Sequence, residues 1–404
     1  MLDINKISID STNFFEVNGE FDKENKKISF NISFEQLKNI FDIDMEEILF
    51  TNDGAMEKTK NIYILCSDGK YYSCLECIFS VHIQREVAFS SIAVNFIFEN
   101  TLTNKTDIKT KKVTFKSYYI GHSIHSAFIK SYSFDYNYKK KVIIKTYTDE
   151  NFYIDISVES KNECWYSELK DIIYTIIEIM MLIFGDIPII SDVNIGEEQE
   201  IKAYFEIVDK YKAPKKRSNG KEIVGCITEQ TLNKDIIKRF KHFRNDTKII
   251  YDLYMTTINS EGYKEIKNCN LVQIMEGLYK TLGMPKMELR DILIYYFNNS
   301  KSSKKILTKK DKRKVKDPNN TPIFIYKANN HRNYLSHLNL KQNKNVFYNL
   351  ENVYAYWKLT MCIRLYILEY LGISYETDKI PKYVKEVDDW AKKNKLRFSA
   401  RVNN

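Results

Sequence analysis

The chain has 404 residues, 44% of them apolar and 14% aromatic, which suffices for two or three domains with buried cores and excludes a protein disordered over most of its length. Its net charge of +9 is modest for the size. The sole membrane candidate, Ile172 to Ile190, carries Glu178, Asp186 and Pro188, whereas a span needs about 20 mostly uncharged residues; a buried helix followed by a strand is the better reading.

The opening MLDINKISIDSTNFF has no basic and apolar leader, which predicts a cytoplasmic protein rather than a secreted one. Three early segments alternate with period two. Ile28, Phe30, Ile32 and Phe34 stand against Ser29, Asn31 and Ser33; Ile92, Val94, Phe96 and Phe98 stand against Ala93, Asn95 and Ile97. The third is Phe152, Ile154, Ile156 and Val158, preceded by the apolar run Val142 to Ile144 and a polar turn at Asp149 to Asn151. Such alternation predicts half-buried antiparallel strands, hence a β-sandwich or open barrel over residues 1–160.

From Trp165 the period turns helical, with Leu169, Ile172, Ile173, Ile176 and Ile177 on one stripe, followed by a strand-like run from Ala203 to Val208. Ala213 to Gly225 has the Pro, Gly and charge of a linker, so residues 161–225 read as a connector. Beyond it, Leu232, Ile236, Phe240 and Phe243 mark one helix, and Leu271, Ile274, Met275, Leu278 and Leu282, stopped at Gly283, mark another. Pro285 is placed to start a third. The ladder Leu350, Val353, Trp357, Met361, Leu365 and Leu368, closed by Gly372, is long enough for the central helix of a bundle. The predicted fold class is therefore α+β: the β-rich domain, the connector, an all-α bundle over 226–380 and a tail helix over 381–404.

The positive charge is concentrated. Lys301 to Lys316, KSSKKILTKKDKRKVK, holds nine basic residues and one acid, so nearly all of the net charge sits in one segment. Lys304, Lys305, Lys309, Lys310, Lys312, Arg313, Lys314 and Lys316 are the expected phosphate contacts, with binding that weakens steeply with salt. A solvated, mobile loop without a partner is the competing reading. Seven scattered cysteines fit a reduced compartment. Cys74 and Cys77 form an isolated CxxC, with His82, His122 and His125 the nearest histidines in sequence; without a second ligand pair at matched spacing it reads as packing rather than zinc. Phosphate-binding GxxxxGKS/T, GxGxxG, HExxH and GxSxG patterns are all absent from the sequence.

Just after the basic run comes RNYLSH, Arg332 to His337. At about 100° per residue, Arg332, Ser336, Asn333 and His337 share one arc of a helix, and Tyr334, Leu335 and Leu338 share the opposite one. A permanently charged guanidinium beside an imidazole suits phosphate-ester chemistry: histidine takes the proton of a ribose 2′-hydroxyl and arginine stabilises the charge that builds on phosphorus. No metal or other cofactor is needed for that route. His331 points to the apolar side and reads as structural. Glu276 lies on a helix placed to hold an imidazole or an arginine across the bundle, though a plain surface carboxylate is the simpler reading. A second RN pair, Arg244 and Asn245, has Ile249 where the histidine would stand.

RNYLSH, with asparagine directly after the arginine and a long apolar helix behind it, resembles the signature of the HEPN superfamily of all-helical ribonucleases, and the order of a β-rich domain before a helical one resembles ApeA-like anti-phage proteins. The resemblance covers about Gln230 to Ile380. It implies an endoribonuclease in which Arg332 and His337 are catalytic and Asn333 supports them, a homodimer built around two motif helices, cellular RNA such as tRNA as substrate, and abortive-infection defence with room for a phage-derived trigger. A non-catalytic RNA-binding scaffold on the same bundle is the main alternative, and a zinc-dependent nucleic-acid binder a lesser one.

Overall fold

The computed structural model describes residues 1–23, 27–32, 55–84, 87–99, 101, 103, 108–119, 131–148, 152–185, 188–196, 201–205, 227–260, 262–337, 345–377 and 379–396. Strands β1 (Leu2–Ser8), β2 (Phe15–Asp22), β3 (Lys27–Ile32), β4 (Ala55–Cys66), β5 (Tyr71–Gln84) and β6 (Val87–Glu99) pair antiparallel in the order β3-β2-β1-β4-β5-β6. β3 also pairs with β6, from Lys27 opposite Ala93 to Ile32 opposite Ala88, and closes the ring. Its interior is filled by Ile4, Ile7, Phe21, Ile28, Phe30 and Ile64 among others, the inward half of each alternation. The expected open barrel is thus a closed one at this end, which removes the exposed edges an open sheet would present.

The alternation on β6 is broken, because Val94 and Ile97 are both buried in the barrel core. The reason is topological. Residues Ala88–Ala93 of β6 pair with β3, whereas Phe96–Glu99 pair with β12 (Ile201–Phe205), so the strand passes from the barrel into a second sheet section between Ala93 and Phe96. That section continues through β11 (Ile189–Ile195), β7 (Lys109–Tyr119), β10 (Phe152–Trp165), β9 (Lys140–Thr148) and β8 (Tyr132–Asp135). On β10, Phe152, Ile154, Ile156 and Val158 are buried as predicted.

Helix α1 (Tyr166–Phe184) covers this face, with Tyr174 edge-on to Phe115 and Phe184 edge-on to Tyr119. The segment from Ile172 is therefore a buried helix followed by a strand, and among the described residues no helix is long and apolar enough to cross a membrane. The boundary at residue 160 falls inside β10, and β11 and β12 are members of the sheet. The span read as a connector supplies strands and a covering helix because its apolar stripe has the β7–β10 face to pack on. Its Ala213–Gly225 linker, like the turn at Asp149–Asn151, lies outside the described residues.

The helical layer comprises α2 (Lys234–Asp246), α3 (Lys248–Asn259), α4 (Lys264–Thr281), α5 (Leu289–Asn298), the short α6 (Ser303–Ile306), α7 (Ile323–His337), α8 (Leu350–Leu371) and α9 (Lys379–Lys393). α8 is central: it packs on α4, α6, α1, α9, α5 and α2, and ends at Gly372 in the left-handed conformation that glycine tolerates best. Gly277 in α4 has a different task, since a Cβ there would lie 2.6 Å from Ile250 of α3. Pro285 does not open a helix. Residues 284–288 are irregular and α5 begins at Leu289; proline is compatible with a first turn but does not compel one. The predicted boundary at 380 falls within α9, the expected tail helix, whose Ile380, Tyr383, Val384 and Val387 pack into the common core.

Layers are joined by polar contacts. Arg364 of α8 donates to the carbonyls of Leu182 (3.1 Å) and Ile183 (3.2 Å) in the last turn of α1, where a cation meets both unpaired carbonyls and the negative helix end. Arg244 donates to Asp171 at 2.9 Å and lies 3.5 Å from Glu178. The second RN pair is therefore an α1–α2 tie, consistent with its lack of a histidine.

Candidate functional site

Why α7 starts where it does is written in the basic run before it. The first backbone N–H groups of a helix lack partners within it; here Ile323 donates to the Arg313 carbonyl (2.8 Å) and Phe324 to the Asp311 carbonyl (3.2 Å), while Val315 bonds to Thr321 (2.9 Å). Part of the run thus caps the motif helix. Asp311 fixes it from below. Its carboxylate is 0% exposed, accepts from Lys358 of α8 at 2.6 Å, and lies 3.0 Å from the Tyr354 hydroxyl, which also reaches Asp388 of α9 at 2.7 Å. Burial, with Asp311 and Asp388 alongside, pushes the Tyr354 hydroxyl far up in pKa, so it stays a donor.

Of the expected RNA contacts, Lys304, Lys305, Lys309, Lys314 and Lys316 are exposed. Lys312 and Arg313 are exposed too, but donate to the carbonyls of Lys304 (2.8 Å) and Lys310 (3.3 Å). Lys310 differs: it is half-buried and its Nζ donates to the Leu396 carbonyl at 2.5 Å, so it anchors the C-terminal segment. Burial lowers its pKa, against the raising effect of Asp311 and Asp388. Desolvation by neighbouring chain is a tertiary effect that a charge count does not register.

α7 buries Phe324, Lys327, Ala328 and His331, spaced three, one and three residues apart along one face. Lys327 has its charge met by Glu351 at 2.7 Å. His331 lies 2.8 Å from the Glu265 carbonyl through Nε2, with its ring beside Phe347, the structural place expected of it. Tyr334 and Leu335, read as the packed back, are only half-buried; the deep face lies on the earlier turns.

The motif's polar arc divides between two grooves. Arg332 turns to α4, where Nη2 meets Glu276 Oε2 at 3.0 Å, and Glu276 is also bound by Lys280 at 2.6 Å. Glu276 is therefore the arginine's partner and not a plain surface carboxylate. Ser336 follows Arg332 one turn on and accepts from Gln273 at 2.9 Å. Asn333 receives Arg332 Nη1 on Oδ1 at 3.2 Å and lines a cleft of about 330 Å3 on the α5 side. His337 is the final residue of α7; its side chain, and all of Leu338, lie outside the described residues. Arg332 is one-fifth exposed, so its guanidinium is both oriented and reachable.

No family model, curated protein or solved structure matches this chain. An oriented, partly exposed guanidinium is a ready partner for a phosphate, and Glu276 and Asn333 hold two of its nitrogens.

The CxxC supplies no comparable arrangement. Cys74 and Cys77 are both buried in the barrel core, Cys77 Sγ donating to the Cys74 carbonyl at 3.3 Å. Residues three apart on a regular strand point to opposite faces; here the β4–β5 register shifts between Lys60 and Ile62, opposite this pair. Burial raises both thiols well above their usual range. Among the described residues no group of three or more His, Cys, Asp or Glu could hold a metal ion; the His82 side chain and all of His122 and His125 lie outside them.

Sequence reasoning missed the cleft and the Asp311–Lys358 pair. Tyr326, Asn329 and Asn333, three and four apart on α7, all line the cleft; their spacing was a usable signal. The ion pair left none, since 46 other residues separate its members.

One consequence is testable by acid. Burial lowers the His331 imidazole below its ordinary 6.5, an effect the Glu265 carbonyl and carboxylate only partly oppose. A base whose pKa falls on folding contributes stability that is complete above its unfolded pKa and is lost as pH falls towards and through the folded one. Wild type is expected to lose thermal stability between about pH 7.5 and pH 5.5 more steeply than His331→Gln. Parallel melts across that window check it, and equal slopes would show that His331 titration does not couple to folding.

Proposed function

We propose that this protein is a metal-independent endoribonuclease of the HEPN type, cutting single-stranded stretches of a structured cellular RNA such as a tRNA loop. The observation that carries the reading is Arg332: a guanidinium fixed by Glu276 and Asn333, partly open to solvent, on the helix that ends in His337 and whose first turn is capped by the basic run. RNA drawn along the exposed lysines arrives at the same helix.

In this mechanism His337 accepts the proton of a ribose 2′-hydroxyl, the 2′-oxygen bonds to the adjacent phosphorus, and the bond from phosphorus to the 5′-oxygen breaks. The leaving oxygen takes up a proton, which gives a 2′,3′-cyclic phosphate and a 5′-hydroxyl end. Arg332 stabilises the charge on the phosphorane and Asn333 holds Arg332. Unpaired RNA is the substrate because in-line attack needs backbone freedom that A-form pairing denies. The active species in this reading is a homodimer that brings two motif helices together, used in abortive-infection defence, with the β-rich region as sensor of a phage-derived trigger or as brake.

One observation favours the second reading, an RNA-binding scaffold without catalysis: Arg332 already has an ionic partner in Glu276, so its charge is partly answered before any phosphate arrives. Incubation of wild type and His337→Ala with total cellular RNA in EDTA separates the two. New ends bearing cyclic phosphate with wild type alone are the expected result. RNA retained by both proteins and cut by neither would support the scaffold.

A further inference from the structure

The cleft beside Asn333 has walls of an unusual kind for a phosphate site. It lies between α7, which contributes Tyr326, Asn329 and Asn333, and the start of α5, which contributes Arg290. Asp317, one residue beyond the last lysine of the basic run, forms part of the rim. The cleft thus includes Asp317, next in sequence to the basic run, and Asn333, next in sequence to Arg332.

Its charged groups are already answered. Arg290 makes a two-pronged contact with Asp291, at 3.0 and 3.1 Å, and lies 3.7 Å from Glu288. Asp317 accepts from the Thr321 backbone (2.7 Å) and hydroxyl (2.6 Å). Two carboxylates on the wall, Glu288 and Asp317, repel a phosphate. Asn329 is the exception to this pairing. Among the described residues its side-chain amide makes no hydrogen bond, and it offers a donor and an acceptor side by side. Tyr326 adds an aromatic ring and a hydroxyl within 3.5 Å of Asn345.

We propose that this cleft receives an unpaired adenine next to the scissile phosphate, with Asn329 as the specificity-determining residue. A side-chain amide matches the adjacent donor and acceptor edge of adenine in two hydrogen bonds, and a purine gives the larger surface for stacking on an aromatic wall. Guanine is disfavoured because its paired acceptors call for a free guanidinium, and that of Arg290 is engaged by Asp291. The proposal rests on the RNA-cutting reading of the same helix and adds to it a base preference.

The test measures binding and cleavage separately. Four labelled 2′-O-methyl pentanucleotides, uridines with A, G, C or U at the centre, are titrated by anisotropy against full-length wild type and Asn329→Ala. Wild type is expected to bind the adenine-centred strand about tenfold tighter than the all-uridine one, the size of a good bidentate base contact. Asn329→Ala is expected to reduce that ratio to below about twofold with the all-uridine affinity unchanged. Tyr326→Leu, which removes the ring, provides a second variant and is expected to weaken all four strands, the purine-centred ones most, as loss of stacking does. Equal affinity for the four strands, preference for another base, or an adenine preference that survives Asn329→Ala would each overturn the proposal. The same strands with 2′-hydroxyls report on the nuclease: adenine-selective binding without cleavage supports the cleft and removes the enzyme reading, and cleavage without selectivity does the reverse.

Discussion

Arg332→Ala is expected to lower RNA cleavage by about 10²- to 10³-fold, the range seen when one donor to a developing oxyanion is removed, and to leave the melting temperature nearly unchanged. The separation is expected because Arg332 is partly exposed and its partner Glu276 keeps a second cation, Lys280, at 2.6 Å; no buried charge is stranded. Arg332→Lys is expected to recover little, since an ammonium cannot reproduce a fork that meets Glu276 with one nitrogen and Asn333 with another. Glu276→Gln keeps the shape and lowers the charge, so a smaller loss is expected. Single-turnover cleavage of a labelled loop RNA in EDTA, alongside calorimetry, measures both quantities. Wild-type rates from Arg332→Ala would remove the arginine from the mechanism.

The largest effect on stability is expected at Lys358, on the central helix. Lys358→Ala leaves Asp311, which is fully buried, and Asp388 without their cation, and stranding a buried charge in this way costs about 3–5 kcal/mol. The loss has a second part. The Asp311 carbonyl caps the motif helix and its carboxylate ties the basic run to α8, so the variant is expected to weaken RNA binding as well as folding. Lys358→Met combined with Asp311→Leu is expected to be much more stable than Lys358→Ala, because apolar replacement of both partners removes the desolvation penalty. Urea denaturation of the two proteins decides this; equal midpoints would mean that Asp311 and Asp388 are answered by other groups.

Legibility from sequence followed the reach of the interactions. The alternation of Phe152 to Val158 and the stripe from Leu350 to Leu368 are local, and both elements stand where their periods place them. Where alternation misled, at Val94 and Ile97, the cause was a strand shared between two partners, β3 and β12, which no window along the chain contains. The helical character of the motif was legible, yet the separate directions taken by Arg332 and Asn333 were not: helical angle gives direction from an axis but not which neighbour stands there. Glu276 shows the same limit. Its place on α4 was readable, and its pairing with Arg332 depended on how α4 and α7 pack.

By itself the sequence determined the two classes of element, the order of β before α, the positive charge of the segment from Lys301 to Lys316, and the presence of an arginine and a histidine on one helix. Each follows from residue type and from periods of a few residues, where steric and hydrophobic preferences act directly on the chain. The tertiary structure alone decided the closure of the barrel, the burial of Asp311 against Lys358, the capping of α7 by the basic run, and the cleft at Asn329. These join segments distant in sequence, and their energies come from desolvation and from hydrogen bonds that exist only once the segments have been brought together.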